Sequence, residues 1–333
     1  MNAVSIQALA AELDRIAIET RFSGVTRLDH GDQTLVAAYG LADRRHQIPN
    51  EVTTRFALAS GAKSITALLV LSLIEDGILE FDTTARSLLR DDLPLIDDRV
   101  TIEQLLAHRS GIGDYLDEEV LGQNDYAMPV PVHQLADTED YLSVLGGCPQ
   151  SFEPGTSFVY NNGGYVVLAI LAARAAGVGY HQLARARVLD PAGMSGSEFI
   201  RSDDVPADAA TGYVHAEGGQ TNTLHMPVRG LGDGGVYSTA DDISRFWDAL
   251  ISGRIVSPHM VARALQPQPT TEKYSYGFGF WLRDGGTAQM EGSDVGVSFR
   301  SSHNPVTERT VTIVGNTGDG AWPLVTHAAD AWF

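Results

Sequence analysis

Phe56-Ala57-Leu58-Ala59-Ser60-Gly61-Ala62-Lys63-Ser64-Ile65-Thr66 runs into an apolar stretch holding Leu68, Leu69, Val70, Leu71, Leu73 and Ile74, and Gly77 closes it. The spacing predicts a helix over about residues 60–76. A helix apolar nearly all round must be buried, so Ser60 stands at the N-terminus of a core helix. Three residues are just under one helical turn, which puts Lys63 on the same face as Ser60. A serine hydroxyl is a poor nucleophile unless a base stands beside it. A buried ammonium gives up its proton more readily than an exposed one. The partial positive charge of a helix N-terminus also favours an oxyanion forming there.

The pair is not an accident of composition. The chain has two lysines, Lys63 and Lys273, beside 21 arginines and 22 serines, so chance supplies a Ser-x-x-Lys in about one such chain in eight. Arginine, used nearly everywhere else, cannot serve as a base because it never deprotonates in a protein. A partly exposed lysine near a helix start is the structural alternative. The apolar helix that follows argues against it.

Working outward, residues 5–19 carry Ile6, Leu9, Leu13, Ile16 and Ala17 on one helical face. Two strand patterns, 23–29 and 33–39, flank His30-Gly31-Asp32, a hairpin signal. Helical patterns follow at 102–108, 132–145 and 165–176, and again at 239–252, with Thr239 as cap and Asp241 and Asp242 in the first turn. Strand patterns return at 277–282, 288–290, 296–301 and 310–316, and a helix over 323–332 ends the chain. The expected fold class is α+β. The two ends share an antiparallel sheet flanked by the N- and C-terminal helices, forming one domain from 1–78 and 231–333. Residues 79–230 form an inserted, mainly helical domain. Ligands collect in clefts between such units.

The 333 residues are 44% hydrophobic and 20% charged, with a formal net charge of −19. That profile gives a large core, and a surface that repels nucleic acid and anionic lipid. Neither a nucleic-acid nor a membrane partner is expected. The lone Cys148 has no partner for an intrachain disulfide and no His or cation beside it in sequence, so a structural role is expected. Glu12, Asp14 and Glu19 interrupt the N-terminal segment, which reads as an amphipathic helix and not a signal peptide. The longest apolar run, residues 165–173, is too short for a bilayer span. A cytoplasmic location is the expectation. The ten histidines show no metal-ligand spacing, so no metal is expected. Gly230-Leu231-Gly232-Asp233-Gly234-Gly235 fits Gly-x-Gly-x-x-Gly but has no strand before it, so no dinucleotide cofactor is expected. There is no Gly-x-Ser-x-Gly elbow.

Tyr160-Asn161-Asn162 offers a second chemical signal. A tyrosine beside a lysine can exist partly as phenolate and pass a proton to a leaving group. The amide two residues on can hold both Lys63 and a substrate carbonyl. Alone, Tyr-x-Asn more often caps or packs a loop. Taken with residues 56–66, with Thr101-Ile102-Glu103-Gln104-Leu105-Leu106-Ala107-His108-Arg109-Ser110-Gly111-Ile112 and with residues 152–165, it resembles the serine beta-lactamase and penicillin-binding-protein-like family, in its AmpC-type and esterase branch. Leu189-Asp190-Pro191-Ala192-Gly193-Met194, Gly234-Gly235-Val236-Tyr237-Ser238-Thr239-Ala240-Asp241-Asp242 and Tyr276-Gly277-Phe278-Gly279-Phe280-Trp281 extend the likeness in the right order, over about residues 20–316.

The resemblance implies that Ser60 is the acylated nucleophile and Lys63 its partner. It makes Tyr160 the general base and then the acid, and Asn162 a ligand of a carbonyl or of Lys63. The family's third motif, a Lys or His followed by x-Gly, corresponds to Met290-Glu291-Gly292-Ser293, with the glycine kept and the cation replaced by Met290. Gly292 is expected to let a substrate backbone approach, and the N–H groups of Ser60 and Ser293 to form the oxyanion hole. Without that cation, substrates bearing a carboxylate lose their anchor. The implied activity is therefore acyl-enzyme hydrolysis of small neutral esters or amides. Beta-lactamase, D-aminopeptidase or DD-peptidase-like activity is the alternative, and a non-catalytic binding or scaffold protein on the same fold is another. His108 is expected to hydrogen-bond within the loop framing the cleft.

Overall fold

The computed structural model describes residues 4–116, 128–270 and 275–333. Helix α1 (Ile6–Thr20) starts at Ser5, whose hydroxyl accepts from the Ala8 N–H, and buries Ile6, Leu9, Leu13 and Ala17. It leads into β1 (Gly24–His30) and β2 (Gln33–Tyr39), a hairpin closed at His30 and Gln33. A short strand β3 (Phe56–Ala57) precedes a 3-10 turn, Ala59–Gly61, and then helix α2 (Ala62–Glu75). Helix α3 (Asn162–Ala176) follows in the helical middle region. Strand β4 (Tyr237–Ser238) pairs with β3, and helix α4 (Ala240–Ile251) comes next. The chain then lays down β5 (Ser275–Tyr276), β6 (Trp281–Arg283), β7 (Thr287–Asp294), β8 (Val297–Asn304) and β9 (Arg309–Gly315), and ends with helix α5 (Trp322–Trp332).

The seven-stranded sheet runs β2-β1-β9-β8-β7-β6-β5, with every pairing antiparallel. The first strand thus pairs with the last, Gly24 opposite Gly315, as expected for a sheet built from both ends. Alternation along the strands gives the sheet two apolar faces. Leu28, Val311 and Ile313 meet Leu9 and Leu13 of α1 and Leu324 and Trp332 of α5. Val25, Met290, Phe299 and Val314 face the other way, into a second core. That core continues through Leu68 of α2, Phe246 of α4, Leu168 of α3 and Tyr180, so the sheet and the helical region share one interior. Every residue from Ala62 to Leu73 is buried; each fully buried Leu, Ile or Val is worth about 1.5–3 kcal/mol. Among the described residues no single helix is long and apolar enough to cross a bilayer.

Three local expectations change. The helix over 60–76 opens as a 3-10 turn, because Ala59 takes a left-handed φ of +43°. Within the stretch 277–282 only Trp281 and Leu282 are strand, in β6; residues 277–280 are the bend of the β5–β6 hairpin, where the Gly277 N–H donates to the Phe280 carbonyl and Gly279 has φ +82°. A Cβ on Gly279 would stand 2.6 Å from that of Ala67, so the bend rests directly on α2. The stretch 132–145 breaks into turns at Val132–Gln134 and Thr138–Tyr141 before the single turn Leu142–Leu145. There Asp137 and Asp140 form a capping box that restarts the chain.

Candidate active site

Ser60 is aimed by backbone strain. β3 pairs with β4, and the Leu58 N–H donates to the Val236 carbonyl. Ala59 then turns left-handed, a conformation that costs a non-glycine residue about 1–3 kcal/mol and swings Ser60 out toward the cleft. Strand β7 clamps this turn from the side. A Cβ on Gly292 would lie 2.0 Å from the Leu58 carbonyl oxygen and 2.8 Å from the Ser60 nitrogen. The close approach expected at Gly292 is therefore made by the protein's own backbone, and a substrate does not occupy that space. Gly292→Ala is expected to push β7 off the Ser60 turn and lower kcat roughly a hundredfold, a loss that steady-state rates on a chromogenic ester would measure.

Antiparallel pairing also orients Ser293. The β7–β8 hairpin closes at Asp294 and Val297. Alternate residues bond across such a ladder, which leaves the Ser293 N–H on the opposite edge of β7, the edge that carries the Ser60 turn.

Lys63 is 1% exposed. Its Nζ stands 2.8 Å from Ser60 Oγ, 2.7 Å from Asn162 Oδ1 and 3.0 Å from the Asp233 carbonyl oxygen. All three are hydrogen-bond acceptors. The Tyr160 ring centroid lies 4.9 Å from the same nitrogen, within cation–π range. Tyr160 is held by stacking on Trp281, 5.7 Å between centroids with planes 17° apart, and by His108 at 4.5 Å. His108 is buried, and its Nδ1 accepts from the Asn161 N–H at 3.1 Å. Burial, and then the charge of Lys63, hold His108 well below the usual histidine range. It is a neutral scaffold residue behind Tyr160, not an acid or base.

Asn162 opens α3. The Asn161 side chain caps the helix by accepting from the Gly164 N–H. The Asp114 carboxylate takes the Asn162 and Gly163 N–H groups at 2.7 and 2.9 Å. Burial pushes Asp114 up to about 6 against the pull of these bonds. Asp233, buried behind Lys63, accepts from the Tyr115 hydroxyl; desolvation raises it and Lys63 opposes the rise. Asp114, Asp233 and Trp281 were not singled out in the sequence. Asp233 hides inside the glycine-rich stretch set aside as a false dinucleotide motif. Trp281 ends the stretch 276–281, whose only signal of function in the sequence is its family likeness. Asp114 has no spacing signal to Asn162 because the two are 48 residues apart.

Met290 is the correction. The register sets Met290 opposite Ser301 and Gly292 opposite Phe299, on the face toward α2. Met290 is 1% exposed and packed in the main core, so it does not stand where a substrate carboxylate would lie. Met290→Lys is accordingly expected to give no gain on nitrocefin and to destabilise the fold by about 3 kcal/mol or more, because it buries an unpaired ammonium. Chemical denaturation would read the loss.

Two cavities meet at Ser60. One is walled by Ala57, Tyr115, Met128, Tyr141, Ile200 and Tyr237. The other is walled by Ile112, Asp114, Tyr160, Trp281, Glu291 and Gly292. Ser60, Asn162 and Ser293 border both. Among the described residues, no arginine or lysine lines either one.

A buried lysine bonded to a serine, at the junction of two cavities between an antiparallel sheet and a helical insertion, defines a serine-hydrolase-type enzyme of the penicillin-binding-protein-like class. The chain belongs to the Beta-lactamase family, whose model matches residues 8–329. It is similar to the crystal structure of a penicillin binding protein from Bacillus halodurans, 34% identical with a TM-score of 0.90, covering 96% of this chain and all of that one. It is 29% identical to the esterase EstB of Burkholderia gladioli over 84% of this chain and 80% of that one. It is also 28% identical to a D-aminopeptidase of Brucella anthropi over 79% of this chain. The chain spans about half the length of that relative, 49%.

Proposed function

We propose that the protein hydrolyses small neutral esters or amides through an acyl-enzyme on Ser60. The observation that carries this reading is Lys63 Nζ held between Ser60 Oγ and Asn162 Oδ1, at 2.8 and 2.7 Å. Ser60 Oγ attacks the carbonyl carbon, and its proton passes to the Lys63–Tyr160 pair. The oxyanion sits between the N–H groups of Ser60 and Ser293. As the tetrahedral species collapses, Tyr160 returns a proton to the departing alcohol or amine. Water then attacks the acyl group under the same pair, releasing the carboxylic acid and restoring the Ser60 hydroxyl.

The charge of the cleft supports neutral substrates. Asp114, Asp233, Asp294 and Glu291 line it, with Glu291 bonded to Arg300. Such walls disfavour a substrate carboxylate. The esterase among the relatives fits this reading. The experiment compares p-nitrophenyl butyrate with nitrocefin under identical conditions. The ester should be turned over and nitrocefin left nearly intact. Efficient nitrocefin hydrolysis would overturn the assignment to neutral substrates.

A further inference from the structure

Asp114 stands two bonds of hydrogen from the nucleophile's partner. Its two carboxylate oxygens take the Asn162 N–H at 2.7 Å and the Gly163 N–H at 2.9 Å, and the Leu116 N–H lies 3.3 Å from one of them. The Asn162 side chain in turn accepts from Lys63, which bonds Ser60. Asp114 also faces the second cavity, so it is in touch with the medium that reaches the substrate.

Asp114 accepts from the first two N–H groups of α3, which the Asn161 side chain does not reach. That side chain takes the Gly164 N–H instead. What Asp114 adds is a grip on the peptide of Asn162, the residue that must present its amide oxygen to Lys63. An ionised carboxylate offers two acceptor oxygens. A protonated one offers an acceptor and a donor, so one of the two helix N–H groups would then face an O–H.

We propose that Asp114 is a positioning residue whose ionised carboxylate sets Asn162, and through it Lys63, in the reactive arrangement, so that the acid limb of activity belongs to Asp114. This rests on the reading of Ser60 as the nucleophile. Among the described residues, the titratable and charged groups near Asp114 are Lys63 from α2, Tyr115 from its own loop, Cys148, and Tyr160 and Glu291 on the walls of the shared cavity. Burial raises Asp114 to about 6, and Lys63 and the three backbone donors oppose that rise. Activity is full where Asp114 is ionised and falls as pH drops through about 6.

The test reads the second-order rate of Ser60 labelling by a fluorophosphonate between pH 4.5 and 8.5, and the ester kcat and KM over the same range. In the wild type both rates should step down near pH 6. Asp114→Asn, which does not titrate, should flatten that step. At pH 7.5 it should lower kcat roughly ten- to a hundredfold while KM moves little, as expected for misplaced catalytic groups. Asp114→Ser, which also does not titrate and offers one acceptor, should show the same flat profile if the asparagine variant fails to fold. A step retained near pH 6 in either variant, or a wild type with no step between pH 5 and 7, overturns the proposal. An asparagine variant that raises KM at unchanged kcat does so too. Failure of the reagent to label Ser60 at any pH would instead overturn the nucleophile assignment, which separates the two outcomes.

Discussion

Ser60→Ala is expected to lower turnover of a neutral p-nitrophenyl ester by at least about a thousandfold, with the fold unchanged. The serine is half-buried at the mouth of the cleft, and its hydroxyl oxygen accepts a hydrogen bond from Lys63. Water can take that place in the variant, so the stability cost should stay at about 1 kcal/mol. Residual activity would come from the oxyanion donors and the cleft, which survive the change. Intact-mass and peptide spectra of the wild type should carry the acyl or phosphonyl adduct on Ser60 and on no other serine. A fully active alanine variant, or an adduct elsewhere, would remove Ser60 from the mechanism. The same labelling distinguishes an enzyme from a binding protein built on this fold.

Lys63→Arg is expected to be nearly as damaging as Lys63→Ala, each costing roughly a hundredfold or more in kcat. Arginine keeps the positive charge but accepts no proton. It must also fit a planar fork into a space where three acceptors stand 2.7–3.0 Å from a single nitrogen. Rates on one ester, with circular dichroism to confirm folding, decide the matter. Should the arginine variant keep more than about a tenth of the activity, a barrier change under ~1.4 kcal/mol, Lys63 would be an electrostatic residue and not a proton carrier.

Much of the fold could be read from pattern alone. α1, α2, the first hairpin and the final helix follow from periodicity and caps, and the match of both ends to one sheet follows from where strand patterns occur. Pattern misleads where tertiary contact decides local shape. Residues 277–282 alternate like a strand, yet 277–280 form a tight glycine bend seated on α2, with the Gly277 N–H donating to the Phe280 carbonyl. Ser60 looks like a helix cap, but the left-handed Ala59 before it has no sequence mark. At the site, Ser60, Lys63 and Asn162 do come together, within hydrogen-bond reach of Lys63, and Tyr160 lies over the lysine. Met290 failed because strand alternation, not order along the motif, chooses which side chain sees the cleft. The carboxylates Asp114 and Asp233 were invisible because their partners are backbone groups and a tyrosine far along the chain.

With only two lysines in 333 residues, the protein is spectroscopically transparent at the Lys63 amine. Uniform 15N-lysine labelling would place two side-chain nitrogens in the whole spectrum. At 1% exposure the Lys63 protons should exchange slowly with water, and the Tyr160 ring 4.9 Å away should shift their resonance by its ring current. A pH series of that one signal would report directly when the amine gains or loses its proton, with Lys63→Arg supplying the assignment by erasing it.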